Sequence, residues 1–404
     1  MKILVYGINY HPELTGIGKY TGEMVNWFID NGIEVTVITA PPYYPDWKIG
    51  RGYSNWRYKK EYKRETIYRC PLYVPRKPSA LKRIVHLLSF AASSLIPLLM
   101  QSRRKPDYII CVAPTLFCVP GTVLLKKITG AKSILHIQDY EVDAMLGLGM
   151  AKKGVATSIA KKYESWCLRT VDKVSTISNS MMRKAIEKDV NPRNIVFFPN
   201  WSEVSRFQNI PTEQVLNLKH NLKLPVGKKI ILYSGNIGEK QGLELVVEVA
   251  KKMITDEHIF LFVGQGGGKE RLEKMVTENS LSNILFRPLQ AYDDLPALLS
   301  IADCHLVIQK KGAADAVLPS KLTNILAVGG NSVITAEEDT ELGQLCHKYP
   351  GIAVCVEPES VDALYNGIRQ CLNLPVKNLI AQKYANDTLD IQSVLSKFLS
   401  DIQD

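Results

Sequence analysis

The sequence has no short-spaced metal or redox motif. Its eight cysteines, at 70, 111, 118, 167, 304, 346, 355 and 371, form no Cys-x-x-Cys pair. Most stand in apolar runs such as Ile109-Ile110-Cys111-Val112. That usage fits free thiols in a reducing compartment and argues against a disulfide frame or a paired-cysteine zinc site. The seven histidines show neither His-x-His nor His-Glu-x-x-His spacing. No two aspartates lie two apart, so the Asp-x-Asp clamp that would hold a divalent cation on a diphosphate is missing. No apolar run reaches the ~20 residues that span a bilayer. The longest, 84–100, is interrupted by His86, three serines and Pro97. The first residues, Met1-Lys2-Ile3-Leu4-Val5-Tyr6-Gly7, read as a short strand followed by glycine rather than as a leader.

At 404 residues, 46% hydrophobic and 22% charged, the chain is globular and too long for one ordinary core. Its net charge of +10 is unevenly shared. Residues 1–205 hold 30 Lys and Arg against 16 Asp and Glu, a net of +14; residues 206–404 hold 20 against 24, a net of −4. The basic half predicts an anionic partner: a membrane surface, a phosphorylated lipid or nucleic acid. Lys82 and Arg83 precede the apolar run and Arg103-Arg104-Lys105 follow it. It reads either as a core helix leading to a strand at 108–112 or as a helix lying in a membrane interface. Residues 43–62 are rich in Tyr, Trp, Lys and Arg, Trp47 among them. Such a loop suits a membrane interface, stacked bases or a plain surface with snorkelling side chains.

Residues 2–7 and 34–39 read as strands around a helix that carries Tyr20, Met24, Trp27 and Phe28. Strand, glycine loop, helix and strand make a βαβ unit, and such units build parallel sheets. Gly16-Ile17-Gly18 is only a fragment of the dinucleotide fingerprint, and Thr39-Ala40-Pro41 ends the second strand without an acidic residue, which argues against an NAD oxidoreductase. In the strand 133–138, His136 and Gln138 share a face, and Asp139 stands at the carboxyl end, where ligands of parallel sheets gather. Strands near 173–178 and 194–199 complete a first half, and 200–225 reads as a connection. Strands at 230–234, 259–263, 283–286, 304–308 and 332–335 alternate with helices in a second. The predicted domains are therefore 1–205 and 206–375, with a helical tail, 376–404, that packs back on the first. Within the second, 230–242 is a buried strand, a glycine turn and a helix start, an arrangement that aims backbone N–H groups at an anion.

One ordered set is more specific than any of its members: Thr15-Gly16-Ile17-Gly18, His136 to Asp139, Pro199-Asn200-Trp201, Tyr233-Ser234-Gly235-Asn236, Val263-Gly264-Gln265-Gly266, Pro319-Ser320-Lys321 and Ala327-Val328-Gly329. Along the whole chain it resembles the retaining family 4 glycosyltransferases of GT-B fold. The resemblance implies an α/β protein of two Rossmann-like parallel-sheet domains facing across a cleft. It implies metal-independent transfer, without a cofactor, from a GDP-linked nucleotide sugar to a polyprenyl-diphosphate-linked saccharide in exopolysaccharide assembly. It also implies a cytoplasmic enzyme held peripherally on an anionic membrane surface, with nucleic acid not a partner.

The same resemblance implies donor-binding roles for Gly16, Ser234, Gly235, Asn236, Lys240, Gln241, Gly264, Gly266, Lys310, Ser320 and Asn324. It implies catalytic roles for Lys321, Asp139 and His136, with Gln138 an alternative to His136, and it places His11 and Trp47 on the acceptor side. In these enzymes the departing phosphate takes the acceptor's proton, so no carboxylate nucleophile is required. The chain departs from the pattern at charged positions. Asn236 stands where the family has Arg, and Gln241 where it has Lys, with Lys240 one residue early. The family's carboxylate pair falls on Ala316 and Asn324, with Asp315 beside the first. The cation facing the diphosphate is then Lys321, with Lys310 and Lys311 next. Two rival readings leave features unused. A nucleotide-sugar epimerase of the same fold gives residues 43–105 no purpose, and a non-enzymatic binder of anionic polymers leaves the glycine turns and Pro319-Ser320-Lys321 unexplained.

Overall fold

Strands written almost wholly in Val, Ile and Leu need cover on both faces, which parallel sheets flanked by helices provide. The computed structural model describes residues 1–13, 16–76, 79–140, 154–238, 241–254, 257–311 and 319–403. They form two units, Met1–Asn200 with Leu395–Asp404, and Trp201–Val394.

The first unit is built on eight strands: β1 (Lys2–Gly7), β2 (Glu34–Thr39), β3 (Lys59–Tyr62), β4 (Thr66–Arg69), β5 (Tyr108–Val112), β6 (Lys132–Ile137), β7 (Lys173–Thr176) and β8 (Ile195–Phe197). Their order is β3-β4-β2-β1-β5-β6-β7-β8. All pairs are parallel except β3 with β4. The sequence reading missed this hairpin, because Lys59-Lys60-Glu61-Tyr62 in β3 looks like a surface loop. Strand order reverses between β1 and β5, so the loops after β1 and β5 border a ligand crevice of this fold type. Leu395–Asp404 belongs to this unit: Phe398 stacks on Phe198 with centroids 3.8 Å apart, and Lys173 Nζ donates to the Asp401 carbonyl (3.0 Å).

The apolar run forms the helix Ala80–Met100, which has a packed face and an exposed one. Inward, Phe90 packs on Tyr6 (6.1 Å between centroids) and Ser94 shares a hydrogen bond with the Tyr6 hydroxyl (2.7 Å). Outward, Leu81, Val85, Leu88, Leu95, Ile96 and Met100 are exposed. The span Leu81–Arg103 is long and apolar enough to cross a membrane, by length and composition alone.

The second sheet holds β9 (Lys229–Ser234), β10 (His258–Val263), β11 (Ile284–Arg287), β12 (Cys304–Val307), β13 (Ser332–Thr335) and β14 (Val354–Val356), ordered β11-β10-β9-β12-β13-β14 and parallel throughout. Successive residues of β9 serve opposite cores: Ile230 and Leu232 one face, Ile231 and Tyr233 the other. Here the strand order reverses between β9 and β12. Residues 200–225, expected as a connection, are largely part of this unit. Val204, Phe207, Leu218 and Leu222 are buried in its core, the last two one turn apart along and just beyond the helix Thr212–Asn221. Their polar neighbours hid the stripe.

Candidate functional site

The turn after β9 lies at that point of reversal. Gly235 N–H donates to the Val263 carbonyl (3.0 Å) and Ile237 N–H to the Gln265 carbonyl (2.9 Å). The loops after β9 and β10 are thus stitched together. The stitch requires glycine: a Cβ on Gly264 would stand 1.9 Å from Gly235 O, and one on Gly266 would stand 2.3 Å from Ile237 O. Gly238 N–H donates to Gln241 Oε1 (3.1 Å). The expectation that this turn offers free amides to a phosphate is therefore corrected: three of its N–H groups, at Gly235, Ile237 and Gly238, are already satisfied. Gln241 supports the turn from within, and Asn236 is exposed, its carbonyl accepting from the Tyr233 hydroxyl (2.6 Å).

Cations converge on the turn instead. Lys321, in the first turn of the helix Ser320–Val328, holds Nζ 4.4 Å from the centroid of the Tyr233 ring. Its Cδ lies 3.9 Å from where a Cβ on Gly235 would stand. Burial pushes its ammonium down to about 8. Lys310, just past β12, lays its stem against Gly242, with Cγ 2.9 Å from the site of a Cβ. Neither lysine has a carboxylate partner among the described residues, whereas Lys311 pairs with Glu337 (3.7 Å). A half-buried cation without a counter-ion is costly unless a ligand supplies the charge. Beside Lys310, the buried Oε1 of Gln309 has no hydrogen-bond partner among the described residues. Sequence reasoning missed Gln309, for which a strand end is the only signal. Ser234 ends β9 at the same rim, half-buried. Asn324 Oδ1 accepts from Ser202 Oγ (2.8 Å), which fixes its amide. Ser320 opens the helix of Lys321. Lys240, Asp315 and Ala316 lie outside the described residues.

In the first unit, His136 is buried in β6. Its Nδ1 meets Ser175 Oγ (3.0 Å), its Nε2 meets Gln138 Nε2 (3.3 Å), and its ring packs on Phe198 (4.9 Å). Burial lowers its imidazole to about 3. Such a group stays neutral with both nitrogens engaged, as a buried strut in the strand does. Asp139, just beyond it, is exposed. Gly16 opens the helix Gly16–Asp30, near Tyr44. The loop before it carries a group the sequence did not flag. Glu13 is buried and accepts from Asn9 Nδ2 (2.9 Å) and from the backbone N–H groups of Tyr43 and Tyr44 (3.0 Å each). Burial raises its carboxyl against those three donors. His11 is exposed, and its carbonyl accepts from Arg69 Nη2 (2.7 Å). Trp47 packs on Tyr43 (5.6 Å) and His86 (5.3 Å), with Arg83 over its ring (5.5 Å).

The family description "Glycosyl transferase 4-like domain" matches residues 15–201, and "Glycosyl transferases group 1" matches 216–388. The chain is 64% identical, over 406 residues and the whole of both chains, to the putative colanic acid biosynthesis glycosyl transferase WcaI of Escherichia coli (strain K12). It is 23% identical to the probable glycosyltransferase WbjE of Pseudomonas aeruginosa, across 70% of each. A glycosyltransferase from Rickettsia africae shares its fold with a TM-score of 0.70 at 15% identity, covering 100% of this chain and 98% of that one. Anabaena Alr3699/HepE, solved in complex with UDP, does so at 0.69 and 12%, covering all of both. With two parallel-sheet α/β units, each matched by its own family description, the chain belongs to the GT-B glycosyltransferases that join a family 4-like domain to a group 1 domain.

Proposed function

We propose that the chain transfers a hexose, fucose from GDP-fucose being the leading case, to a polyprenyl-diphosphate-linked saccharide in colanic acid-type exopolysaccharide assembly. Transfer is retaining and needs no metal. One observation carries the donor side: two lysines with no carboxylate partner among the described residues, Lys321 and Lys310, converge on the turn after β9. As the sugar leaves, negative charge grows on the diphosphate, and fixed cations in a partly dry site stabilise it where it develops. Lys321 takes the distal phosphate, aided by the N-terminal end of its own helix. Lys310, Ser234, Gly235 and Asn236 line the same anion, and Gln309 accepts a hydroxyl of the donor. Gly264 and Gly266 hold the loop that lies against the nucleotide, with Asn324 and Ser320 beside it. In the first unit, the family resemblance assigns Asp139 and Gly16 to the sugar and His11 and Trp47 to the acceptor. The pathway assignment rests on the 64% identity to the colanic acid enzyme.

The test is a panel of GDP-, UDP- and dTDP-sugars scored by protection against thermal unfolding, because a ligand that binds only the folded state stabilises it. At a hundredfold excess over Kd, protection is expected to be about 2.7 kcal/mol. GDP-fucose should protect best, and turnover should survive a chelator. No protection by any nucleotide sugar overturns the proposal.

The enzyme works in the cytoplasm on the inner face of the membrane, with the outward face of Ala80–Met100 lying in the interface between Lys82 at one end and Arg103 at the other. It is expected to sediment with anionic vesicles at low salt and to come off at high salt, as a surface electrostatic contribution must. Ile96→Glu, on an exposed position, should weaken that binding without unfolding the protein. Equal binding by the variant removes the interface helix from the account.

A further inference from the structure

The carboxyl edge of the first sheet holds a second group of cations that the donor side leaves unused. Arg69 ends β4 directly opposite Lys59 at the start of β3. Around them opens a cavity of about 260 Å³, lined chiefly by Tyr53, Ser54, Arg57, Tyr58, Lys59 and Arg69, with no acidic side chain among the described residues of its wall. Arg69 is 2% exposed. Its Nη1 donates to the Ala40 carbonyl (3.0 Å) and its Nη2 to the His11 carbonyl (2.7 Å), which fix the guanidinium. Its buried Nε makes no hydrogen bond among the described residues. Glu61 stands 3.5 Å from that Nε and 3.1 Å from Lys59 Nζ, so one carboxylate answers two cations. The Tyr53 ring lies between two of them, 5.0 Å from the Arg69 guanidinium and 4.8 Å from Lys59 Nζ. A preset, partly desolvated guanidinium flanked by exposed cations and hydroxyls is chemistry for a phosphoryl group.

The cavity is tied to the apolar helix. The Tyr58 hydroxyl, on its wall, donates to the Ser93 carbonyl in the middle of Ala80–Met100 (2.8 Å). Leu88, Leu95 and Ile96 are exposed on that helix within about one turn of Ser93. A cationic pocket beside an uncovered apolar stripe fits one amphiphile better than two separate ligands. We propose that this pocket binds the diphosphate head of the lipid-linked acceptor while its apolar chain lies along the stripe. It builds on the lipid-linked acceptor proposed above and assigns it a place: the hairpin β3–β4, not the loops that hold the donor.

The test compares full-length wild type with Arg57→Ala/Lys59→Ala. Both positions are exposed, so the fold should survive; Arg69→Ala is avoided because Arg69 anchors two loops. Sedimentation is measured with phosphatidylcholine vesicles alone, with the same vesicles doped with a polyprenyl diphosphate, and with vesicles carrying phosphatidylglycerol at matched charge. Wild type should prefer the doped vesicles to both others, and the double variant should lose that preference by on the order of tenfold. Protection by nucleotide sugars should be the same in both proteins. A variant that keeps the preference overturns the pocket. So does a wild type that binds phosphatidylglycerol equally well, since the site then takes any anionic headgroup. A wild type that prefers the diphosphate lipid but gains no protection from any nucleotide sugar sinks the donor reading and leaves the pocket standing.

Discussion

Lys321→Ala is expected to lower sugar transfer by on the order of a hundredfold or more while the protein stays folded, the usual size of losing one charge-stabilising donor. Lys321→Met sharpens the expectation. Methionine keeps the length of the stem over Tyr233 and removes the charge. Burial holds the Lys321 ammonium at about 8, against 10.5 for the ordinary group. The native state therefore pays to keep this lysine charged, at about 1.4 kcal/mol per pKa unit before the ring contact and residual solvent recover part. Lys321→Met should be inactive and yet more stable at pH 7, by on the order of 1–3 kcal/mol. A variant that is both inactive and unstable would mean that Lys321 holds the fold, not the diphosphate.

The sign of the pH dependence follows from the same shift. The folded pKa is depressed below the unfolded one, so between about 8 and 10.5 the unfolded chain binds more protons, and wild-type stability rises with pH across that window. Below 8 the penalty is constant. The stability gap between Lys321→Met and wild type should thus be widest at pH 7 and close towards pH 10.5. Catalysis runs the other way. The cation is lost as pH rises through about 8, so kcat/KM should fall there. A bound diphosphate restores the counter-charge and moves the fall in kcat to higher pH.

The parallel strands and their glycine turns were legible because each is a short run of Val, Ile and Leu ending at a turn residue, a pattern set by burial on both faces. Lys321 was singled out by the family resemblance, through Pro319-Ser320-Lys321, and the structure puts it in the first turn of a helix. What escaped was set by pairing across the sheet. Arg69 looks like one more charge in a basic segment until β3 pairs with β4 and brings it opposite Lys59. Glu13 looks like a loop carboxylate until Tyr43 and Tyr44 turn their amides onto it. His136 is the converse case. A histidine near a strand's carboxyl end resembles a catalyst, and only its contacts with Ser175 and Gln138 show that both nitrogens are taken. Contacts between residues tens of positions apart carry no local signal, and these three sites depend on them.

Gly264→Ala should produce the largest loss of stability of any methyl-sized change near the donor loops. The added carbon would stand 1.9 Å from Gly235 O, a backbone atom with no rotamer to give way. Gly235 cannot swing aside cheaply either, because its N–H is bonded to Val263 and the preceding Ser234 is paired with Val263 in the sheet. Relief requires parting the loops after β9 and β10, which breaks the Gly235 and Ile237 hydrogen bonds and moves the wall against which Lys321 and Lys310 are set. Overpacking of this kind typically costs 1–3 kcal/mol; an immovable backbone neighbour argues for about 3 or more. The check is the denaturant midpoint at unchanged m, together with protection by the best nucleotide sugar, which should fall in parallel. Gly267→Ala is the control. It lies three residues along the same loop, and a Cβ there meets nothing within 4 Å. Its stability should stay within about 0.5 kcal/mol of wild type, or rise slightly as the unfolded chain loses freedom. If both alanines are tolerated alike, the two loops are not stitched as described, and the glycines are there to admit the nucleotide rather than each other.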